Sequence, residues 1–118
     1  AVASSGGPPT LFVGHTDSLA ERIQRALPGA RVVKAFNIVG YALMVHPGLP
    51  GGPPDMFIAG DDPAARAAVT DILHRFGWSV VDLGNLTSAR YLEPLAMVWI
   101  ISGFIGGNWR QALKMLRA

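Results

Sequence analysis

Cysteine is missing from all 118 residues of this chain, which excludes disulfides, thiolate zinc sites, iron–sulfur clusters and cysteine nucleophiles. Charge is scarce too. Only 15% of the residues are charged while 50% are hydrophobic, a balance that excludes a disordered chain and favours a buried sheet flanked by helices. Ten Lys and Arg against eight Asp and Glu leave a net charge of +2. The cations are scattered from Arg22 to Arg117, so no nucleic-acid partner is expected. His15, His46 and His74 lack ligand-like spacing, and no metal site is expected. The longest apolar run, 94–105, carries no charge but falls well short of the ~20 residues that cross a bilayer. It reads as a buried or interface helix, with no membrane partner. No basic-then-apolar signal opens the chain, so a cytoplasmic location is expected. The chain does not begin with Met, and its first residue reads as a processing or expression boundary.

What is present is an alternation of short apolar runs with amphipathic stretches. Residues 1–15 read as a loop or tail that includes a short strand over 10–14. Ser18 and Glu21 have capping-box spacing, and Leu19, Ile23, Ala26 and Leu27 share a helical face that Pro28-Gly29 terminates. Residues 31–36 suit a buried parallel strand and 38–45 a short helix, while the Pro- and Gly-rich stretch 46–54 is a loop. A strand follows over 55–60. Asp62 then caps a helix with Pro63 at its first position, an apolar face from Ala65 to Phe76, and Gly77 at its end. His74 and Arg75 complement the dipole of its last turn. A third strand is expected over 78–83 and a helix over 87–101. After a break at 103–107, Asn108 caps a last helix with Trp109, Ala112, Leu113 and Leu116 inward. Trp99 and Trp109 read as core or interface anchors.

This order predicts one α/β domain over 16–118: a partial Rossmann-like parallel sheet of three main strands flanked by helices, in three layers, with a carboxyl-terminal helical pair. Residues 31–83 supply the strands and crossovers of one mononucleotide-binding half. No Gly-x-Gly-x-x-Gly occurs, so the chain carries no pyrophosphate cradle of that type. Ligands of open α/β sheets bind at the carboxyl ends of the strands, which points to Asn37, Gly60 and Ser88 and to the turn within 82–93.

The motifs Val32-Val-Lys-Ala-Phe-Asn37, Pro53-Pro-Asp-Met-Phe-Ile-Ala-Gly-Asp-Asp62, Phe76-Gly-Trp78, Asp82-Leu-Gly84 and Ser88-Ala-Arg-Tyr-Leu-Glu-Pro-Leu95 resemble the NADP oxidoreductases that use the deazaflavin coenzyme F420. The same pattern occurs in the cytosolic reductase domain of the six-transmembrane metalloreductases. The resemblance covers about residues 16–118 and corresponds to the carboxyl-terminal half of a family member. It implies a Rossmann-like NADP-dependent oxidoreductase that passes hydride to or from a deazaflavin or flavin. Cofactor contacts are then implied at Phe36, Asn37, Ile38, Val39, Gly40 and Tyr41 on the nicotinamide side, and at Thr87, Ser88 and Arg90 near the second coenzyme. No catalytic nucleophile is implied. Ile38 stands where the family commonly has Thr. A non-catalytic fragment or assembly module that dimerises without turnover is the competing expectation.

The same residues also have structural readings. Asn37 can cap a helix starting at Ile38, Arg90 and Glu93 can form an i,i+3 pair, Asp61 and Asp62 suit helix capping, and Lys34 can snorkel from its strand to water. Half a doubly wound sheet leaves an unpaired edge and uncovered apolar faces. The expected partner is therefore a second copy, in an intertwined homodimer built around 87–107, or else the missing amino-terminal half.

Overall fold

The computed structural model describes residues 2–3 and 6–118, with side-chain environments from residue 6 onward. Two short strands, β1 (Val2–Ala3) and β2 (Thr10–Leu11), pair antiparallel as a ribbon. The stretch expected as a loop or tail thus carries this ribbon, and residues 1, 4 and 5 lie outside the described residues. Helix α1 (Leu19–Ala26) begins as its spacing predicts: the Ser18 hydroxyl accepts from the Glu21 N–H at 3.2 Å and donates to the Glu21 carboxylate at 2.7 Å. Beyond its end, the Gln24 amide donates to the carbonyls of Leu27 and Ala30 and accepts from the Val32 N–H. One side chain thereby guides the chain from helix to strand.

The main sheet has the order β3 (Val33–Lys34), β4 (Asp55–Gly60), β5 (Ser79–Asp82). β4 and β5 are parallel, with Met56 opposite Val80 and Ile58 opposite Asp82. β3 runs the other way, Val33 opposite Gly60 and Lys34 opposite Ala59, which corrects the expectation of three parallel strands. The reason lies in the connection. A parallel return needs an element that carries the chain back along the sheet, usually a helix. The segment 35–54 forms only a 3₁₀ turn at Tyr41–Leu43, not the helix expected over 38–45. Seven of the nine residues 46–54 are Pro or Gly, so the chain re-enters β4 at the end where it left β3.

All six residues of β4 are buried, as a central strand covered on both faces must be. Met56 and Ile58 are fully buried, each contributing ~1.5–3 kcal/mol through removal from water. Helix α2 (Pro63–Arg75) packs along β4 and β5; Asp62 caps it, accepting from the Ala65 N–H at 2.8 Å, and Gly77 in a left-handed conformation follows its end. The Trp78 indole donates to the Met44 carbonyl at 2.9 Å, tying the irregular segment to β5.

A 3₁₀ turn at Leu86–Ser88 leads into α3 (Ala89–Gly106), which crosses β4 and inserts Leu92 and Trp99 into the core. It continues through the break expected at Gly103 and ends at Gly107, whose φ is 61°. Among the described residues no helix is long and apolar enough to cross a membrane.

The last helix expected after Asn108 is replaced by irregular chain. Asn108 instead accepts from the Arg110 N–H in a local turn. Backbone groups in this segment are satisfied by tertiary partners. Leu113 O accepts from the Asp55 N–H at 2.9 Å, the Met115 N–H donates to the Asp55 carboxylate at 2.7 Å, and Gln111 and Trp99 exchange two hydrogen bonds. These contacts hold the segment against the start of β4 and leave no helical ladder to form.

Candidate functional site

Asn37 lies just beyond β3, where Phe36 has a φ of 57°. A bulky residue rarely adopts this left-handed conformation. It turns the chain off the strand, with the Phe36 N–H 3.2 Å from the Met56 sulfur and its ring against Phe76. Asn37 then donates from Nδ2 to the Leu92 carbonyl of α3 at 2.8 Å. That bond replaces the helix cap considered for it. With the amide nitrogen so engaged, Oδ1 is buried and has no hydrogen-bond partner.

The residues that follow divide by depth. Ile38 and Val39 are core residues whose side chains serve packing, Gly40 leaves room beside the Trp99 ring, and Tyr41 is 90% exposed.

The second group gathers around the start of α3. Ser88 donates its hydroxyl to the Leu83 carbonyl at 2.8 Å and holds the 3₁₀ turn, while Thr87 is exposed. Arg90 does not pair with Glu93. Its guanidinium grips Glu21 of α1 through contacts of 2.7–3.2 Å. These bonds from Arg90 hold the Glu21 carboxyl below its ordinary range although burial opposes them. Glu93 is buried and faces Lys34 of β3 at 3.5 Å, so Lys34 reaches a carboxylate instead of snorkelling to water. One helix start is therefore held from the β3 side by Lys34 and Asn37 and from the α1 side by Glu21. Neither Glu21 nor Glu93 was singled out as a site residue. The signal for Glu93 was its place as the last charge before the uncharged run 94–109.

Gly60, nominated with Asn37 and Ser88, marks the carboxyl end of β4, but the antiparallel β3 crowds it. A Cβ there would stand 2.9 Å from the Val32 carbonyl and 3.1 Å from a Val33 methyl. Arg66 closes the same edge by donating to the Gly60 carbonyl at 2.7 Å and to Asp82 at 2.9 Å. Burial raises the Asp82 carboxyl, and the Gly84 N–H and Arg66 outweigh it to give a net lowering. Asp61 accepts from the Leu86 N–H. Beyond this edge lies an open cleft of about 550 Å³ lined by Gln24, Arg25, Arg31, Asp61 and Asp62 among others. A smaller hollow of about 370 Å³ is lined by Leu11, Gly14, His15, Arg90, Tyr91 and Pro94. The nominated residues therefore do not converge on one cavity: Arg90 lines a hollow, while Asn37 is tied to the α3 backbone at Leu92. Among the described residues no group of three or more His, Asp or Glu side chains could hold a metal ion.

No protein-family profile matches the chain. Individual relatives do. The chain is 30% identical over 101 residues to the F420-dependent NADP reductase of Methanocaldococcus jannaschii, covering 85% of this chain and 45% of that protein. It is 32% identical over 83 residues to the rat Metalloreductase STEAP3, covering 70% of this chain and 17% of that protein. A crystal structure of a candidate F420-dependent NADP reductase from an Arthrobacter species is 43% identical, with a TM-score of 0.91 over 98% of this chain and 54% of that one. The chain spans less than half the length of these curated relatives. It resembles the carboxyl-terminal half of an F420-dependent NADP reductase, and the STEAP metalloreductases are related to it.

Proposed function

We propose that this chain forms the coenzyme-facing part of an NADP-dependent oxidoreductase that passes hydride between NADP(H) and a deazaflavin, F420, or a flavin. Its similarity to the reductases above supports the reaction class. When bound, the two coenzymes supply the hydride donor and acceptor, so the protein's work is to bind and orient them.

Asn37 carries the reading. Its Nδ2 is committed to Leu92, and its Oδ1 is left as a buried acceptor without a donor. Such an orphan costs ~1–3 kcal/mol. A carboxamide N–H₂, the polar handle of a nicotinamide ring, is a donor of the right kind. The left-handed Phe36 beside it is backbone strain of the sort that persists where a site needs a particular chain direction. Asn37 and exposed Tyr41 would hold the ring end of NADP, with Val39 and Gly40 as its apolar support. Arg90, Ser88 and Thr87 would brace the second coenzyme's loop. Ile38 brings no hydroxyl. These residues fit the nicotinamide end and not the phosphates, since no Gly-x-Gly-x-x-Gly is among them. That observation favours a second reading, an assembly module without turnover.

NADPH titration followed by fluorescence, paired with F420 reduction, separates the two. The oxidoreductase reading expects saturable NADPH binding and turnover that Asn37→Ala lowers about tenfold, the worth of one hydrogen bond of ~1.4 kcal/mol, with the fold intact by circular dichroism. Turnover unchanged in Asn37→Ala would remove Asn37 from the site. Failure of the unaltered protein to bind NADPH would favour the assembly module.

A further inference from the structure

Asn37 is held in place by more than its own hydrogen bond. The chain leaves β3 through Phe36, a bulky residue at a φ of 57°, and such a conformation persists only where its surroundings over-determine it. β3 gives little of that support, being two residues long and pairing only Val33 with Gly60 and Lys34 with Ala59. The support comes from α3. Two consecutive residues near its start take hold of the turn on either side of Phe36: the Leu92 carbonyl accepts from Asn37 Nδ2 at 2.8 Å, and the Glu93 carboxylate faces the Lys34 ammonium at 3.5 Å. Both charged side chains are withdrawn from water, Glu93 to 3% exposure and Lys34 to 23%. Arg90, one turn back, is taken by Glu21 at 2.7 Å and does not compete for Glu93. A buried ion pair is a poor source of stability, because desolvation of the two charges offsets their attraction. It is a good source of register. The surrounding core, which includes Ile38, Val39, Leu92 and Trp99, is apolar, and apolar packing has no direction of its own. Sliding α3 along β3 would leave the buried Glu93 displaced from Lys34, a far larger penalty than a shifted methyl contact.

We propose that Lys34 and Glu93 are positioning residues for Asn37, a pair whose charges set β3 against α3 at the register in which Asn37 reaches the Leu92 carbonyl and keeps Oδ1 as a buried acceptor. The functional side of this inference rests on the assignment of Asn37 to the nicotinamide carboxamide; the placement of Asn37 by the pair stands apart from it. Neither residue touches a coenzyme or transfers a proton in this scheme. The pair acts through Asn37 alone, so its removal has a ceiling: it can weaken NADPH binding by no more than loss of the Asn37 side chain does, about tenfold for one hydrogen bond. The two effects also do not add. With Asn37 already replaced, the pair has nothing left to position. A pair that only supported the fold would behave in the reverse way, lowering the unfolding midpoint and weakening binding equally with or without Asn37.

The double variant Lys34→Met with Glu93→Gln removes both charges while keeping side chains of similar length. Nuclear magnetic resonance of the Asn37 side-chain amide reads its placement without any coenzyme. The Nδ2 protons should exchange with water about tenfold faster in the double variant, while circular dichroism and the urea midpoint stay near those of the unaltered protein. Lys34→Arg, which keeps the charge, should leave that exchange slow. Fluorescence titration should show an NADPH Kd weakened by up to about tenfold in the double variant, with no further weakening when the pair is removed from Asn37→Ala. Asp17→Asn, which breaks the ion pairs with Arg22 and Arg25 of α1, should change neither reading. Glu93→Gln alone carries the same measurements if the double variant does not fold. Unchanged Asn37 amide exchange would overturn the proposal, as would NADPH binding that is unaltered by the double variant or weakened equally with and without Asn37. Failure of the unaltered protein to bind NADPH would instead overturn the assignment of Asn37 to the nicotinamide, and amide exchange would then decide the role of the pair.

Discussion

Two glycines three residues apart on α3 should respond in opposite ways to the same substitution. At Gly103 an added Cβ would lie 2.6 Å from two atoms of the Trp109 ring and 3.0 Å from a third. Those distances are too short for carbon atoms, so Trp109 must move. At 42% exposed it has open space to swing into, and the cost is what it leaves behind. That includes a tilted contact with Trp99 at 5.5 Å between ring centroids and an edge-to-face contact with Phe104 at 5.0 Å. Each such pair contributes ~0.5–1.5 kcal/mol, so losing both costs about 1–3 kcal/mol. The helix gains up to ~1 kcal/mol when Gly becomes Ala, which leaves Gly103→Ala destabilised by about 0–2 kcal/mol. Gly106→Ala has the same gain and meets nothing within 4 Å, so it should stabilise by up to ~1 kcal/mol. Urea unfolding followed by far-ultraviolet circular dichroism, at one protein concentration, gives both values. Tryptophan emission of Gly103→Ala should also shift red as Trp109 meets water. Gly103→Ala as stable as Gly106→Ala, with unshifted emission, would refute the role of Trp109 in holding the segment after α3.

Arg90→Ala should lower the denaturation midpoint, because Glu21 is buried and loses its charge partner; a denaturation midpoint equal to the unaltered protein's would show the contact to be idle. Stability should also depend on acid through Glu21. Its folded-state pKa is lowered from 4.5, so its contribution is fully present above the unfolded value and is lost as pH falls through the folded one. Urea midpoints from pH 7 downward should therefore drop more steeply below about pH 4.5 in the unaltered protein than in Glu21→Gln, and parallel curves would contradict this assignment.

Local chemistry was legible in the sequence wherever one short stretch decides the outcome. Ser18 and Glu21 open α1, Asp62, Pro63 and Gly77 bound α2, and the apolar run 55–60 is a strand. The family motifs led to the right relatives because they record several such stretches in order. Direction and partnership were not legible, since they depend on residues far apart in the chain. β3 reads like any buried strand, and its reversal follows from how the breaker-rich 35–54 segment returns to the sheet. Asn108 and the apolar spacing after it suit a helix, but Asp55, Trp99 and Lys114's partner Pro53 offer that segment enough hydrogen bonds to hold it irregular. At the site, Arg90 and Glu93 are neighbours in sequence, yet folding gives each a distant ion-pair partner, Glu21 and Lys34. The sequence by itself determined where α1 and α2 begin and that 55–60 is a strand, because caps and apolar runs act within a few residues. Only the tertiary structure decided the sense of β3, the fate of the last segment and the pairing of the buried charges, because there a local preference worth a few tenths of a kcal/mol competes with long-range contacts worth more.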